Sequence, residues 1–337
     1  MNSKKQYIIS LFMAFLLIYS GSVLSQDKTT AIKAFNKGLD LAKENKYDEA
    51  IAKFENAHEI AKQIENADLQ DRTAKQLPTM YYQKAVTTFN EFKSNQSTDI
   101  LLTAIGEFAE AQKQAAKYGN DQITGKSRNI KLQLTYNLST IYFRQDRLDS
   151  AKAAVDRAIN MNSNYAKAFY QKALVEKKMG NFDQFLALID QAINKGMVNQ
   201  DDDLVEKAKE KAAGELVYRG VNQMEDKNYS KSKEFLNRAL NYNESSADAH
   251  YRIAELANKQ GDRQTALNHA QKALELENGG KTEMAKIYFE LGLAQQGMGN
   301  KTAACDALSN AAYGSFKSNA EHKMEFELKC EKLAKSE

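Results

Sequence analysis

Proline and tryptophan are almost missing from this chain of 337 residues: Pro78 is the only proline, and there is no tryptophan. Proline disrupts helices and the interior of sheets, so its rarity permits long uninterrupted helices. No run of valine, isoleucine and threonine alternates with polar residues, as a half-buried strand would require. Alanine, lysine, glutamate, leucine and glutamine are abundant, and all of them favour helices. The sequence therefore predicts an all-α protein.

The chain also lacks an excess of charge of either sign. It has 47 basic and 44 acidic residues, which gives a formal net charge of +3. A nucleic-acid-binding protein usually carries a basic patch, and a protein held on anionic lipid usually carries a polybasic cluster. The evenly mixed charges of this sequence indicate neither, so we expect no nucleic-acid partner.

Long apolar runs are absent except at the N-terminus. Lys4 and Lys5 precede an apolar segment from Tyr7 to Tyr19, and small residues surround Ser25. A basic start, a short apolar core and a cleavage site with small residues are typical of a secretory signal peptide. The apolar core is shorter than the roughly 20 residues that a membrane-spanning helix needs. Cleavage after Ser25 is therefore favoured over the alternative, an uncleaved membrane anchor.

The predicted signal peptide determines where in the cell we expect the protein and how the first 30 residues of the chain are divided. Residues 1–25 are the predicted signal peptide, and residues 26–30 a short flexible start of the mature chain. No cysteine lies near the cleavage site, so we do not expect a lipoprotein, and no second apolar stretch predicts membrane insertion after cleavage. We expect a periplasmic or extracellular protein.

One short pattern recurs along most of the chain. In its first copy, small residues at Gly38, Ala50 and Ala57 allow two helices to approach closely, and Phe54 fills the space between them. The best later copies have Ser139, Tyr142, Ala151, Val155 and Ala158, then Ala254, Ala266, Ala270 and Ala273, then Gly292, Ala304, Leu308 and Ala311. The weaker copies have Ala85, Ala104, Phe108 and Ala111, then Ala173, Phe185, Ile189 and Ala192, then Gly220, Ser232, Leu236 and Ala239.

This pattern resembles the tetratricopeptide repeat family, whose unit is a helix–turn–helix of about 34 residues. The resemblance implies a right-handed superhelical α-solenoid of about seven helical hairpins over residues 31–312. It also implies that residues 313–337 form a C-terminal capping helix, which we expect to run from about Asn319 to Lys335. In function, the resemblance implies a non-enzymatic scaffold that binds a protein or peptide along its concave face.

The repeats are not evenly spaced, so some units contain more residues than the repeat requires, and the structure of these extra residues has to be predicted separately. We expect those at 93–99 to lengthen a turn and those at 119–127 to form a loop between hairpins. We expect a helix from about 203 to 225, capped by Asp201–Asp203. Glycine and asparagine predict the turns inside the units, at Asn45–Lys46, Gln145–Asp146, Gly180–Asn181, Lys227–Asn228, Gly261–Asp262 and Gly299–Asn300.

No motif in the sequence predicts catalysis, a metal or a cofactor. Residues 119–127 read G-N-D-Q-I-T-G-K-S, but a phosphate-binding loop needs four residues between its glycines and a preceding strand. The four histidines lack the i, i+4 spacing of a metal pair, and His250 is expected in the core or at an interface. We therefore expect no catalytic, metal-binding or cofactor-binding residues.

A series of aromatic residues is the one candidate partner site. These residues lie three positions before the small residue of each first helix. In the resembled family, that helix face borders the concave groove. Two interpretations stay open: the aromatics line a groove for a partner, or they pack between adjacent hairpins. The candidates are Phe35, Tyr82, Tyr136, Tyr170, Tyr251 and Phe289.

Cys305 and Cys330 are the only cysteines. An export signal places them in an oxidising compartment, where cysteines pair. Antiparallel packing about the 313–318 turn would bring them nearly level, so we expect a disulfide, with two reduced, buried thiols as the alternative.

The sequence favours a non-enzymatic scaffold of the cell envelope and identifies neither its protein or peptide partner nor its oligomeric state. The first alternative is a self-assembling envelope structural protein. The second is an accessory subunit of an envelope enzyme complex, or a hydrolase with an unrecognised site in an insertion such as 197–212.

Overall fold

The computed structural model describes residues 26–330, and that range is helical almost throughout. The predicted signal peptide, residues 1–25, lies outside the described residues, as do residues 331–337 at the end of the predicted capping helix. Between residues 26 and 330 there is no β-strand. The all-α prediction is confirmed.

The helices form two compact units, the first ending at Gly180 and the second beginning at Asn181. Unit 1 contains α1 (residues 26–43), α2 (Tyr47–Gln63), α3 (Ala67–Asn95), α4 (Thr98–Lys117), α5 (Asp121–Arg144), α6 (Leu148–Met161) and α7 (Ala166–Lys178). Unit 2 contains α8 (Phe182–Val198), α9 (Asp202–Glu225), α10 (Tyr229–Tyr242), α11 (Ala247–Gln260), α12 (Arg263–Leu276), α13 (Lys281–Gly297) and α14 (Lys301–Ala311). A 3-10 turn (Gly314–Phe316), α15 (Lys317–His322) and a π-helical turn (Lys323–Glu327) complete it.

Within each unit, helices that follow one another along the chain pack against one another. Unit 1 contains the hairpins α1–α2, α3–α4 and α5–α6, and α7 packs on α6. Unit 2 contains the hairpins α9–α10, α11–α12 and α13–α14, while α8 packs on α9 and α15 on α14. This order is that of the predicted helical-hairpin repeat, because a hairpin buries its apolar face only against its neighbours.

The turns inside the hairpins carry the backbone conformation that the sequence predicted for them. Asn45, Asp146, Lys227 and two glycines, Gly261 and Gly299, all have φ between 57° and 82°. Glycine reaches this left-handed region without a steric penalty. Each of these residues reverses the chain directly after a first helix, which brings the second helix back against it.

Bulky side chains from the second helices form the centre of each hairpin. Phe54, Phe108 and Leu236 are fully buried there. In the first hairpin, the rings of Phe35 and Phe54 meet edge to face, with centroids 5.4 Å apart. Each first helix brings a small residue to this point, Gly38 opposite Phe54 for example, so the two backbones can lie close together.

Two predictions about the extra residues were wrong. The residues at 93–99 do not lengthen a turn: α3 continues to Asn95, and only Gln96 and Ser97 separate it from α4. Residues 119–127 are not a loop, because α5 begins at Asp121. The side chain of Asn120 accepts a hydrogen bond from the Ile123 N–H at 3.0 Å, which caps this early helix start.

A third prediction, the helix from about 203 to 225, is confirmed. Helix α9 runs from Asp202 to Glu225, and the Asp201 side chain caps it by accepting a hydrogen bond from the Leu204 N–H at 3.3 Å. The acidic residues of the first turn also lie at the positive end of the helix dipole. The extra residues of both units therefore lengthen first helices.

The C-terminal segment differs from the single long helix expected from Asn319 to Lys335. Helix α15 begins earlier, at Lys317, and is followed by a π-helical turn that ends at Glu327. Residues 328–330 are not helical. The Cys330 N–H donates to the Met324 carbonyl at 2.8 Å. The Cys330 sulfur forms a disulfide with Cys305 on α14, with a Cα–Cα distance of 5.9 Å.

Candidate functional site

Three of the six candidate aromatics are packing residues. Phe35, Tyr170 and Tyr251 are 3%, 8% and 5% exposed, respectively, so they present almost no surface to a partner. Phe35 contacts Phe54 on one side, and the Arg72 guanidinium lies 4.4 Å from its ring centroid on another. For these three residues, the groove interpretation is wrong in this structure, because neighbouring helices cover them.

The other three candidates are half-buried, and each meets a second aromatic ring. Their ring centroids lie 5.9 Å (Tyr82 and Phe108), 5.5 Å (Tyr136 and Tyr165) and 5.3 Å (Phe289 and Phe316) apart. Such pairs stabilise helix packing beyond the area they bury. A partner could still contact the exposed parts of Tyr82, Tyr136 and Phe289, and their role as partner residues stays a prediction.

The described residues hold neither a metal cluster nor a membrane span. Between residues 26 and 330, no three histidine, cysteine, aspartate or glutamate side chains come together as metal ligands. No helix in the same range is long and apolar enough to cross a bilayer.

Two histidines form a pair inside the α11–α12 hairpin. The Nδ1 atoms of His250 and His269 lie 2.9 Å apart, and His250 Nε2 lies 3.0 Å from the Glu244 carbonyl oxygen. A carbonyl only accepts, so His250 donates from Nε2. In its neutral form, the His250 ring then accepts at Nδ1 from His269 Nδ1. Burial, together with the neighbouring His250, lowers the pKa of His269. The neutral form of His269 is therefore favoured, and the predicted packing role of His250 agrees with its burial.

Unit 2 contains a polar cleft, which we call the α11–α13 cleft. It has a volume of ≈ 560 Å³. Two first helices provide most of its walls, and the π-helical turn closes one side. It is lined by Glu255, Asn258, Lys259, Arg263, Phe289, Glu290, Leu293, Gln296, Gly297 and Lys323.

Three side chains form a connected network at the base of this cleft. Asn258 Nδ2 donates to the Glu290 carbonyl oxygen at 2.9 Å and to Glu290 Oε2 at 2.8 Å. Arg263 Nη1 in turn donates to the Asn258 carbonyl oxygen at 2.9 Å and to Asn258 Oδ1 at 3.2 Å. Asn258 thereby connects two successive first helices, and its side chain is held in one orientation.

The Glu290 carboxyl is the most perturbed acid in the cleft. It is buried, and burial raises its pKa to about 7, while the Asn258 hydrogen bond acts in the opposite direction. Glu255 also raises the pKa of Glu290, whereas Lys259 and Arg252 lower it. The carboxyl therefore changes its charge near neutral pH, where an exposed glutamate would be fully ionised.

Gly297 allows Arg263 to reach its position in the cleft. A Cβ atom at residue 297 would lie 2.3 Å from Arg263 Nε and 2.6 Å from its Cδ, so the arginine lies directly across the glycine. Only a residue without a side chain permits this contact. Arg263 is thus held between Gly297 on α13 and Asn258 on α11.

Charged groups at the edge of the cleft form two further ion-pair groups. Glu255 lies between Arg252, at 2.9 Å, and Lys259, at 3.5 Å. Glu327 accepts from Gln296 at 2.9 Å and pairs with Lys323 at 3.1 Å. Both signs of charge therefore surround the cleft, and each lysine keeps donors for a further acceptor.

The sequence analysis did not identify this cleft. Its candidates were aromatic, and of them only Phe289 lines it. One local signal exists: Ile287, Glu290 and Ala294 have the spacing of one helix face, and a glutamate on an apolar face indicates a buried acid. The contacts that Asn258 makes with Glu290 and Arg263 with Gly297 join residues far apart in the sequence, so no local pattern reports them.

Comparison with known proteins identifies one repeat directly. Residues 132–165 match the sequence model of the tetratricopeptide repeat, which confirms the resemblance at the unit of Ser139, Ala151 and Val155. No curated protein sequence matches the chain significantly.

Among solved structures, the chain is similar to YrrB, which is described as a TPR protein with an unusual peptide-binding site. The identity is 17%, the match covers 57% of this chain and 91% of YrrB, and the TM-score is 0.35. It is similar to MamA at 17% identity over 60% and 96%, with a TM-score of 0.32. It is also similar to a tetratricopeptide repeat protein from Parabacteroides merdae ATCC 43184, at 14% identity over 88% and 98%, with a TM-score of 0.29. Superpositions this loose carry no argument about function.

Proposed function

Because this chain contains a tetratricopeptide repeat, at residues 132–165, we propose that the protein is a non-enzymatic scaffold that binds a protein or peptide partner. The α11–α13 cleft is the observation that carries this proposal. It lies between two first helices, the faces that the repeat resemblance associates with partners. Its polar groups are held in fixed positions before any partner arrives, which reduces the entropic cost of binding.

The composition of the cleft fits a peptide. Arginine and aromatic residues contribute most to binding at protein interfaces, and the cleft offers Arg263 and Phe289. Lys259 and Lys323 lie at its edge, where they can donate to peptide carbonyls or carboxylates. An extended segment would lay one side chain against Phe289 while its polar groups meet the lysines.

The same cleft gives little support to catalysis. Glu290 has a pKa suited to an acid or base, but its hydrogen-bond partner is the Asn258 amide. A catalytic base would instead contact a nucleophile or a substrate proton. Asn258 orients Glu290 as part of the packing between two helices, and this favours a binding role over the accessory-enzyme alternative.

We further propose that the protein works in the cell envelope. The basic and apolar start of the sequence supports export. The disulfide between Cys305 and Cys330 supports it independently, because such bonds persist in oxidising compartments.

The proposal is tested by crosslinking in the native envelope, followed by identification of the partner. Lys259→Ala should reduce partner capture, because it removes a donor at the edge of the α11–α13 cleft. Lys272→Ala is the matched control: it is 48% exposed against 47% for Lys259 and pairs with a glutamate one turn away on α12. Equal capture by both variants would exclude this cleft, and crosslinks only between copies of the chain would favour the self-assembling alternative.

A further inference from the structure

Unit 1 carries a second, chemically different surface, which we call the α4–α6 groove. It has a volume of ≈ 380 Å³ and lies where the second helices α4 and α6 flank the first helix α5. Its apolar part consists of Leu102, Ile105, Leu138 and Met161. Leu102, a large apolar residue in the second turn of α4, is 41% exposed.

Positive charge borders this apolar surface. Lys131 and Arg157 line the groove, and Arg128 lies one helical turn before Lys131 on α5. Lys131 Nζ donates to Gln112 Oε1 at 2.7 Å, and Arg157 Nε donates to the Ala153 carbonyl oxygen at 3.3 Å. Both side chains are therefore anchored by neutral groups and keep further donors.

No carboxylate of the described chain compensates these cations. Among residues 26–330, Arg128, Lys131 and Arg157 form no ion pair. Burial lowers the pKa of Lys131, and the nearby Arg128 lowers it further, with no acidic group acting in the opposite direction. This is unusual for the chain, since most of its other lysines and arginines with close contacts pair with aspartate or glutamate.

We propose that the α4–α6 groove binds a peptide segment in which an apolar side chain is flanked by carboxylates. The apolar side chain would cover Leu102 and Met161, and the carboxylates would meet Lys131 and Arg157. Charge complementarity selects this partner, because a carboxylate supplies the acceptor that these cations lack. The proposal rests on the proposed peptide-binding function but uses no residue of the α11–α13 cleft.

The test is direct binding of a defined probe to the purified mature chain. The probe is a fluorescein-labelled peptide with a glutamate-leucine-leucine-glutamate core, and binding is followed by fluorescence anisotropy. A matched peptide with glutamine in place of both glutamates carries the same apolar side chains without charge. We expect the acidic peptide to bind about tenfold more tightly than the neutral one, and we expect its affinity to fall as the salt concentration rises.

Two variants locate the binding on the protein. Leu102→Ser removes the exposed apolar contact, and Arg157→Gln removes an exposed charge. Each substitution should lower the affinity for the acidic peptide about fivefold or more. Arg144→Gln is the control, since Arg144 is equally an exposed arginine of unit 1 but does not line the groove. Circular dichroism verifies that each variant stays helical.

The outcomes are distinct. Equal binding of acidic and neutral peptides, or unchanged binding by Arg157→Gln, would overturn the proposal. Binding to phosphatidylglycerol vesicles without peptide binding would assign the groove to a lipid surface and would also overturn it. The Lys259→Ala crosslinking result is independent of these measurements, so the general function can hold even if this groove does not bind acidic peptides.

Discussion

Gly292 on α13 faces Leu308 on α14 so closely that a Cβ on the glycine would lie 2.7 Å from Leu308 Cγ. Leu308 is fully buried in the core of this hairpin. Gly220 and Leu236 are related in the same way in the α9–α10 hairpin, with a distance of 2.8 Å. In these two hairpins, the close approach of the paired helices therefore depends on the missing side chain of a glycine on the first helix.

Gly292→Ala should destabilise unit 2 by about 1–3 kcal/mol, because the added methyl group overpacks the centre of the hairpin. Gly214→Ala is the matched control: it is also a helical glycine of unit 2, and nothing lies within 4 Å of its would-be Cβ. That variant should gain up to about 1 kcal/mol from the better helix propensity of alanine. Urea denaturation followed by circular dichroism measures both, and equal effects would contradict the steric explanation.

Glu290→Gln should change how the stability of unit 2 depends on pH. The folded-state pKa of Glu290 is raised from 4.5 to about 7. Between these values the folded chain keeps a proton that the unfolded chain has released, so the free energy of unfolding falls as pH rises. The loss is complete above pH 7 and amounts to about 3 kcal/mol.

The glutamine variant cannot ionise and still accepts from Asn258, so it should lack this loss. Denaturation midpoints at pH 4.5 and pH 8 test the prediction through the difference between variant and wild type. A difference that stays constant between the two pH values would show that the carboxyl does not titrate as proposed.

His269→Gln should also change how stability depends on pH, with the opposite sign to the effect of Glu290→Gln. Because the folded-state pKa of His269 is lowered from 6.5, the unfolded chain binds more protons than the folded chain just below pH 6.5. Stability contributed by this group is therefore lost as pH falls below 6.5. The variant keeps a donor for His250 Nδ1 but cannot be protonated, so its midpoint should drop less than that of the wild type between pH 7.5 and pH 5.5. An equal drop of the midpoint in both proteins would show that His269 does not contribute to the pH dependence of stability.

Replacing both cysteines tests the C-terminal crosslink. The bond between Cys305 and Cys330 closes a loop with a sequence separation of 25. Loop-closure entropy predicts that Cys305→Ser with Cys330→Ser lowers the free energy of unfolding by about 3 kcal/mol. Thiol alkylation and mass measurement of the exported wild type provide the control. Two free thiols, or equal stability of wild type and double variant, would contradict the prediction.

The repeated core could be predicted because its pattern is local. Gly38 with Phe54, and Gly292 with Leu308, have the same separation along the chain, and that separation alone places them opposite each other in a hairpin. The turn residues followed for the same reason, since Gly261 and Gly299 need only their own backbone to adopt a left-handed conformation.

The candidate site was harder to predict because its parts come from different hairpins. Asn258 contacts Glu290 across two helices, and nothing near either residue in the sequence records that contact. The aromatics were ambiguous for a related reason. Whether Tyr170 is buried or Tyr136 half-exposed depends on how neighbouring helices cover them, and helix lengths such as that of α3, which continues to Asn95, were misjudged.

The packing of each helix on its neighbours along the chain also determines how the protein folds and unfolds. Contacts of this kind are short in sequence, so any hairpin can nucleate folding, and the process is fast for a chain of this length. Linear arrays lose structure first at their ends, where a terminal hairpin has one neighbour instead of two. The covalent link from Cys330 to α14 opposes this fraying at the C-terminal end of unit 2, so the slowest-opening amides of that unit should include those of α13 and α14.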